Sequence, residues 1–313
     1  MGIGFNKNIH EMRKSIIKIS SLALAVFLTF GSLNAQNGNY EENENVEFSL
    51  YLGTAVPAGT FANGTISADN QPIVAWNPLL SNVTDGGAGV GFNIGIKAKF
   101  AIPQIEGLGF IVTTDLFWNG TTNELRNWQA NYVENLLANQ PSMPFYNKYT
   151  SSGNSNGYKE SYDVRLAIPN YVNVPIMGGL NYEYDFSDEV DLWAEFGVGI
   201  NIGTLTDIVL ESSWRYNYDN SIGDFNGDNS YEYKTQNKIE FDTKATFAFQ
   251  LGAGIKVSDK ISLGFHYYSL GERDLIGKYE DPIAGPCKAS GNYANDNKSI
   301  KSSIVSIRLG YHF

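Results

Sequence analysis

The chain has 313 residues, of which 33 are acidic and 22 basic, so its formal net charge at pH 7 is −11. This excess of acid argues against a nucleic-acid-binding protein, which needs a basic surface to neutralise phosphates, and 19 Tyr, 18 Phe and 5 Trp argue against a disordered chain. The single cysteine, Cys287, excludes an intrachain disulfide and a zinc site built from several cysteines.

The first 35 residues have the organisation of a secretory signal peptide. Four basic residues precede an apolar run at 19–30, and small residues follow up to Ala35. This twelve-residue run is too short for a membrane-spanning helix, which needs about 20 residues. We therefore expect export and cleavage after Ala35, with translation beginning at either Met1 or Met12.

A short acidic leader, residues 36–45, precedes a strand-rich domain that we predict over 46–313. In this domain apolar residues occupy every second position in eight runs, which predicts strands with one apolar and one polar face. The fourth and sixth runs are long, and we expect each of them to be one continuous strand. The eight runs span residues 46–52, 90–100, 108–118, 164–184, 190–202, 239–257, 261–267 and 305–313.

The links between these runs alternate in length. Three are short and four are long, in the order 57–87 (long), 101–107 (short), 119–157 (long), 185–189 (short), 215–237 (long), 258–260 (short) and 274–298 (long). This alternation is typical of transmembrane barrels, which have short periplasmic turns and long extracellular loops. The predicted fold is therefore all-β, an eight-stranded antiparallel up-and-down transmembrane β-barrel with four long extracellular loops.

The polar face of the predicted strands indicates which side of the wall meets lipid. It combines many glycines with charged and amide side chains, as expected for a narrow lumen, and the opposite face is apolar. A polar interior and an apolar exterior are what a bilayer requires. The alternative is a secreted lipocalin-like barrel or a sandwich in which the apolar face is turned inward.

Four charged residues on the polar face are predicted to meet inside the lumen: Lys97, Asp115, Glu195 and Arg308. Asp115 and Glu195 each lie about eight residues from a short link, which places them at a similar depth. Because an unpaired buried charge is strongly unfavourable, we expect a paired network that plugs the lumen. The alternative is a gate in which the same network rearranges to pass ions.

The last nine residues, VSIRLGYHF, alternate apolar and polar side chains, with Leu309, Tyr311 and Phe313 on one face. They resemble the carboxy-terminal strand of Gram-negative outer-membrane barrels, which the barrel-assembly machinery reads as an insertion signal. The segment 168–184, IPNYVNVPIMGGLNYEY, followed by a turn and by WAEFGVG at 193–199, resembles the central hairpin of the PorT-like family of OmpA-like small outer-membrane barrels. This resemblance implies a location in the outer membrane, contact with its lipid and assembly by that machinery. Some members of the family assist secretion.

The third long link contains a weak calcium-site pattern. Asp224, Asn226 and Asp228 place three oxygen-bearing side chains at alternate positions, as in calcium-binding loops. However, Asn229 occupies the place of the usual glycine, and Thr235 that of the bidentate glutamate. These departures favour an ordinary solvated turn, and no metal or other cofactor is predicted.

The histidines give little support to an enzyme. His10 leaves with the signal peptide, and His266 and His312 lie near the predicted periplasmic end. Outer-membrane enzymes on a similar scaffold have their catalytic residues at the outer rim, so both histidines lie at the opposite end. The prediction is a non-enzymatic barrel that binds an extracellular ligand or protein through its loops or has a structural role. A small channel or a secretion accessory is the alternative, and a membrane-embedded hydrolase is a third interpretation.

Overall fold

The computed structural model describes residues 46–62, 87–123, 127, 158–167, 170–218, 230–281 and 289–313. They form one sheet of eleven strands and a short 3-10 helix, Gly59–Phe61. No helix in these ranges is long and apolar enough to cross a membrane. The strands are β1 (Val46–Pro57), β2 (Ala88–Ala101), β3 (Leu108–Thr121), β4 (Tyr158–Ala167), β5 (Tyr171–Ser187), β6 (Val190–Leu205), β7 (Ile208–Tyr218), β8 (Ser230–Phe241), β9 (Lys244–Val257), β10 (Ile261–Asp281) and β11 (Ala289–His312).

Eight of these strands close into an antiparallel barrel, which confirms the predicted fold class. The order around the wall is β1, β2, β3, β5, β6, β9, β10 and β11, and β11 closes it by pairing with both β10 and β1. Leu309 shows the closure, because it lies opposite Leu263 of β10 on one side and Leu52 of β1 on the other. Closure leaves the wall without free edges, which a membrane requires of any sheet that crosses it.

The three predicted short links are confirmed as the connections β2–β3, β5–β6 and β9–β10, and they define the tight-turn end of the barrel. In the last of these links Ser258 and Asp259 both have positive φ, at 51° and 56°. Asp tolerates this left-handed conformation because its side chain can hydrogen-bond locally. The opposite end is called the loop end.

Three further strands extend the sheet beyond the barrel at the loop end. β8 pairs with Gly277–Glu280 of β10, β7 pairs along β8, and β4 pairs along β7. The predicted long links at 215–237 and 274–298 are therefore partly strand, and this corrects their assignment as loops. Segments 219–229 and 282–288 within them lie outside the described residues.

The fourth and sixth predicted runs are each two strands, so the prediction of continuous strands was wrong at both places. Residues 164–167 belong to β4, which is separated from β5 in the sheet, and residues 239–241 belong to β8 instead of β9. The alternation keeps its parity across both breaks, so periodicity alone could not reveal them. Pro169, which cannot donate a backbone hydrogen bond, and Asp242–Thr243 stand at the breaks in the sequence.

Large apolar side chains project outward from every strand of the barrel, as the face assignment predicted. The lumen is filled by side chains in two layers. Towards the tight-turn end it is polar, and towards the loop end it holds an apolar cluster that includes Phe117, Met177, Leu270 and, from the 3-10 helix, Phe61. Each of the eight barrel strands has at least one such outward residue, and the following examples are between 44% and 59% exposed: Leu50, Phe92, Phe110, Leu180, Phe196, Leu251, Phe265 and Leu309.

Two glycines on neighbouring strands make room for an indole inside this lumen. A Cβ built on Gly254 or Gly264 would collide with the ring of Trp193. The glycine-rich inner face therefore allows a few large aromatic rings to pack in the narrow interior.

Candidate functional site: the polar lumen

The first ion pair of the lumen joins β2 to β6. Nζ of Lys97 lies 3.2 Å from Oε2 of Glu195, and both side chains are buried. The other carboxylate oxygen of Glu195 accepts a hydrogen bond from Nε2 of Gln250 at 3.2 Å and lies 2.9 Å from Nε2 of His266. Glu195 of β6 thus joins three side chains from three other strands, β2, β9 and β10.

The second ion pair joins β11 to β3. Nη2 of Arg308 lies 2.5 Å from Oδ1 of Asp115, which also accepts a hydrogen bond from Nδ2 of Asn93 at 3.3 Å. The hydroxyl of Tyr268 accepts a hydrogen bond from Arg308 and donates one to Oδ2 of Asp115 at 3.2 Å. Both charges therefore have several partners, as a buried pair requires.

Aromatic rings link the two ion pairs. The ring of Tyr51 is close to both cations, with its centroid 5.1 Å from Nζ of Lys97 and 4.6 Å from the guanidinium carbon of Arg308. The ring of Trp193 lies 5.4 Å from the same Nζ. The structure thus brings the four predicted lumen charges into one layer, and these cation–π contacts connect them.

The aromatic members of this layer were not among the predicted site residues. Tyr51, Trp193 and Tyr268 all have the parity of the polar face, and that parity is the signal that identifies them. Their rings occupy the lumen that the glycines leave open. The layer is therefore a packed mixture of ions and rings.

A second group of charges closes the tight-turn end. Nζ of Lys99 lies 2.6 Å from Glu183, and Nζ of Lys256 lies 3.0 Å from Glu47 and 3.6 Å from Glu183. These pairs join β1, β2, β5 and β9 across the lumen. An ion that passes through the barrel would have to separate these pairs as well as the two ion pairs of the layer that contains Lys97 and Arg308.

At this end a serine, a histidine and a glutamate contact one another in the order of a serine hydrolase triad. Nε2 of His312 lies 2.8 Å from Oγ of Ser262, and its Nδ1 lies 2.5 Å from Oε1 of Glu47 and 3.0 Å from Oγ of Ser49. However, Ser262 is only 2% exposed and is paired on both sides, to Lys256 and to Gly310. A nucleophile needs room for a substrate carbonyl beside it, so these contacts do not favour catalysis.

The remaining predicted sites divide into those that the structure places and those that it leaves out. Leu309, Tyr311 and Phe313 lie exposed on the outer face at the tight-turn end. Asp224, Asn226, Asp228 and Cys287, the signal peptide and the acidic leader lie outside the described residues, so the predictions about them stay predictions. Within the described ranges no group of three or more His, Cys, Asp or Glu side chains could hold a metal ion.

Comparison with known proteins gives structural likenesses only. No family model matches the chain, and no curated protein matches it. The chain is similar to the attachment invasion locus protein Ail of Yersinia pestis (10% identity, 86% of this chain and 99% of that one, TM-score 0.30). It is also similar to Neisserial surface protein A (11%, 86% and 100%, TM-score 0.33) and to OprG of Pseudomonas aeruginosa (10%, 86% and 96%, TM-score 0.35). Likeness at this level establishes neither a family nor a function, and the PorT-like resemblance stays a prediction.

Proposed function

We propose that this chain is an outer-membrane barrel of a Gram-negative bacterium with a closed lumen, which binds an extracellular partner through its loop end and catalyses no reaction. The observation that carries the proposal is the buried, paired network inside a wall whose outer face is apolar. A soluble barrel has the reverse arrangement, and so large an exposed apolar belt is unfavourable in water.

The filled lumen favours a structural or binding role over a channel. Conducting ions would require the Lys97–Glu195 and Arg308–Asp115 pairs to separate, together with the pairs at the tight-turn end. We expect the purified chain to show no steady openings in a planar bilayer. The Asp115→Ala/Arg308→Ala variant, which removes one of these pairs and its bulk, should also stay closed, because the Lys97–Glu195 pair and the pairs at the tight-turn end remain. Steady openings of the wild-type chain would contradict a closed lumen.

The channel or secretion accessory stays a second candidate function because the network is not fully satisfied. Among the described residues, Nε1 of Trp193 and Nε of Arg308 are buried without a hydrogen-bond partner. Buried donors without partners favour a second arrangement of the same side chains. In that interpretation the wild-type chain conducts intermittently, and the bilayer recording distinguishes it from the closed barrel.

The loop-end extension supports the proposed binding role. β4, β7 and β8 stand outside the barrel, and the second edge of β4 pairs with no strand that the structure describes. An unpaired edge offers backbone donors and acceptors to an extended segment of a partner protein. The extension therefore provides a surface for recognition that the closed wall lacks.

The register of β6 with β9 makes the binding role testable without opening the barrel. Gly203 lies directly opposite Lys244, so residues 206–242 can be replaced by a short turn that joins β6 to β9. We expect partners crosslinked to the wild-type chain on whole cells to be absent from this variant, which should still reach the outer membrane. Equal recovery of those partners with both chains would contradict recognition through the extension.

Deleting Phe313 should reduce insertion in cells more than it reduces stability. Phe313 is 76% exposed, and its described contacts are one backbone hydrogen bond to Phe48 and a ring contact with Tyr311. We expect a loss of about 1 kcal/mol or less in the free energy of unfolding. In cells the amount in the outer membrane should fall, because the terminal aromatic resembles the assembly signal.

Fractionation of cells that produce each variant measures this effect. Phe186→Ala is the matched control, because it removes an exposed aromatic ring near the same end without touching the terminus. We expect only the deletion to move protein into the periplasmic or degraded pool. A wild-type amount of the deletion variant in the outer membrane would show that the terminal strand is not such a signal.

A further inference from the structure

We infer that the loop end of the lumen contains a binding site for a small oxyanion, a carboxylate, sulfate or phosphate group, held by Arg273 of β10. This inference is independent of the proposed partner binding at the extension. It begins from a cation that is buried without a counter-charge.

The hydrogen bonds of Arg273 account for only part of its guanidinium. The residue is 6% exposed, and Nη1 donates to Oδ1 of Asn173 at 3.2 Å. Nε and Nη2 are both buried without a hydrogen-bond partner. These are neighbouring donors of a planar fork, the geometry that binds two oxygens of one oxyanion.

Comparison with the other buried cations shows that Arg273 is an exception. Four lysines and arginines are buried among the residues that the structure describes, and Lys97, Lys256 and Arg308 each lie within 3.2 Å of a carboxylate oxygen. No Asp or Glu carboxylate among the described residues forms an ion pair with Arg273. A buried charge that lacks a counter-ion is strongly unfavourable, so a bound anion would remove a large part of that cost.

The immediate surroundings fit an anion better than a second cation. Nδ2 of Asn173 is a further buried donor without a partner, next to the oxygen that Arg273 contacts. A Cβ built on Gly203 would collide with Nη1 of Arg273, so glycine allows the guanidinium to lie against the backbone of β6. Arg273 and Asn173, which contact each other through Nη1 and Oδ1, thus offer three donors without partners.

The position of these residues indicates the direction of entry. Asn173 is the third residue of β5 and Gly203 lies two residues before the end of β6, so both are close to the loop end. Tyr171 begins β5, and its ring contacts that of Phe61 with centroids 5.1 Å apart. Because the free donors are closed to solvent, an anion must enter from the loop end as neighbouring side chains shift, and exchange should be slow.

The test measures whether oxyanions stabilise the purified full-length barrel in detergent. Inorganic phosphate, sulfate and acetate are each titrated against chloride at constant ionic strength, and the melting temperature is read from the loss of the folded species. At least one oxyanion should raise the melting temperature of the wild-type chain, because a ligand that binds only the folded state stabilises it. If none does, the inference is wrong.

Two variants distinguish the site from a general effect of salt. Arg273→Gln should weaken the oxyanion effect roughly tenfold or more in concentration, because it removes charge-assisted hydrogen bonds. Lys301→Gln removes an exposed positive charge from the neighbouring strand and should leave the effect unchanged. If Arg273→Gln and the wild type respond equally, binding at Arg273 is refuted.

A conservative variant covers the case in which Arg273→Gln does not fold. Arg273→Lys keeps the positive charge but loses the planar fork, so it should bind the oxyanion more weakly than the wild type. Equal affinity in this variant would contradict recognition by the fork. None of these readouts involves the loop-end partner, so failure here and failure of the proposed function are distinguishable.

Discussion

Replacing Glu195 with leucine should lower the free energy of unfolding by about 3–5 kcal/mol, because it leaves the ammonium of Lys97 buried without its counter-charge. The same change removes the acceptor that His266 and Gln250 contact. Urea unfolding of the refolded barrel, followed by tryptophan fluorescence and by gel mobility, measures the loss.

The double variant Lys97→Met/Glu195→Leu is the control for this prediction. It removes both charges of the pair, and replacing a buried ion pair by apolar residues of similar volume is often close to neutral. We therefore expect the double variant to be more stable than Glu195→Leu alone. If the two variants are equally unstable, the leucine destabilises by its shape or by the lost hydrogen bonds, and the pairing of Lys97 with Glu195 is not the cause.

Replacing Phe196 with arginine should lower the free energy of unfolding in a bilayer by about 2–4 kcal/mol. Phe196 is 48% exposed on the outer face, near the middle of β6, where we expect the hydrocarbon core of the membrane. When the barrel inserts, an arginine at this position has to move from water into lipid, which is unfavourable for its charge. Refolding into lipid vesicles at a series of denaturant concentrations measures the difference.

The matched control makes the same change near the membrane surface. Phe186 is also exposed, but it lies one residue before the end of β5 at the tight-turn end. Phe186→Arg should therefore destabilise by only about 0–1 kcal/mol, because the penalty falls towards the interface. A penalty that is the same at both depths would mean that the outer face does not lie in a bilayer.

The sequence predicted the wall of this barrel well, because alternation reports directly which face of a strand is apolar. It failed where the alternation continued through a break. Residues 164–167 and 239–241 keep the parity of β5 and β9, yet they belong to the extension. Which strands pair depends on contacts between distant segments, and no local pattern records them.

The lumen charges could be predicted as a set but not as pairs. Lys97 and Glu195 are 98 residues apart and Asp115 and Arg308 are 193 apart, so their pairing depends on how the strands are staggered when the barrel closes. Arg273 was missed because it stands just before the predicted long link at 274–298. Its isolation becomes visible only when the partners of the other buried cations are known.

The most direct test is whether the mature chain is a closed barrel in the outer membrane. Cells that produce the full-length chain are fractionated, and the protein is run on a detergent gel with and without boiling. A closed barrel resists detergent until its hydrogen-bonded wall melts, so we expect recovery in the outer-membrane fraction and a change of mobility on boiling. Recovery in the soluble periplasmic fraction, with the same mobility before and after boiling, would contradict it.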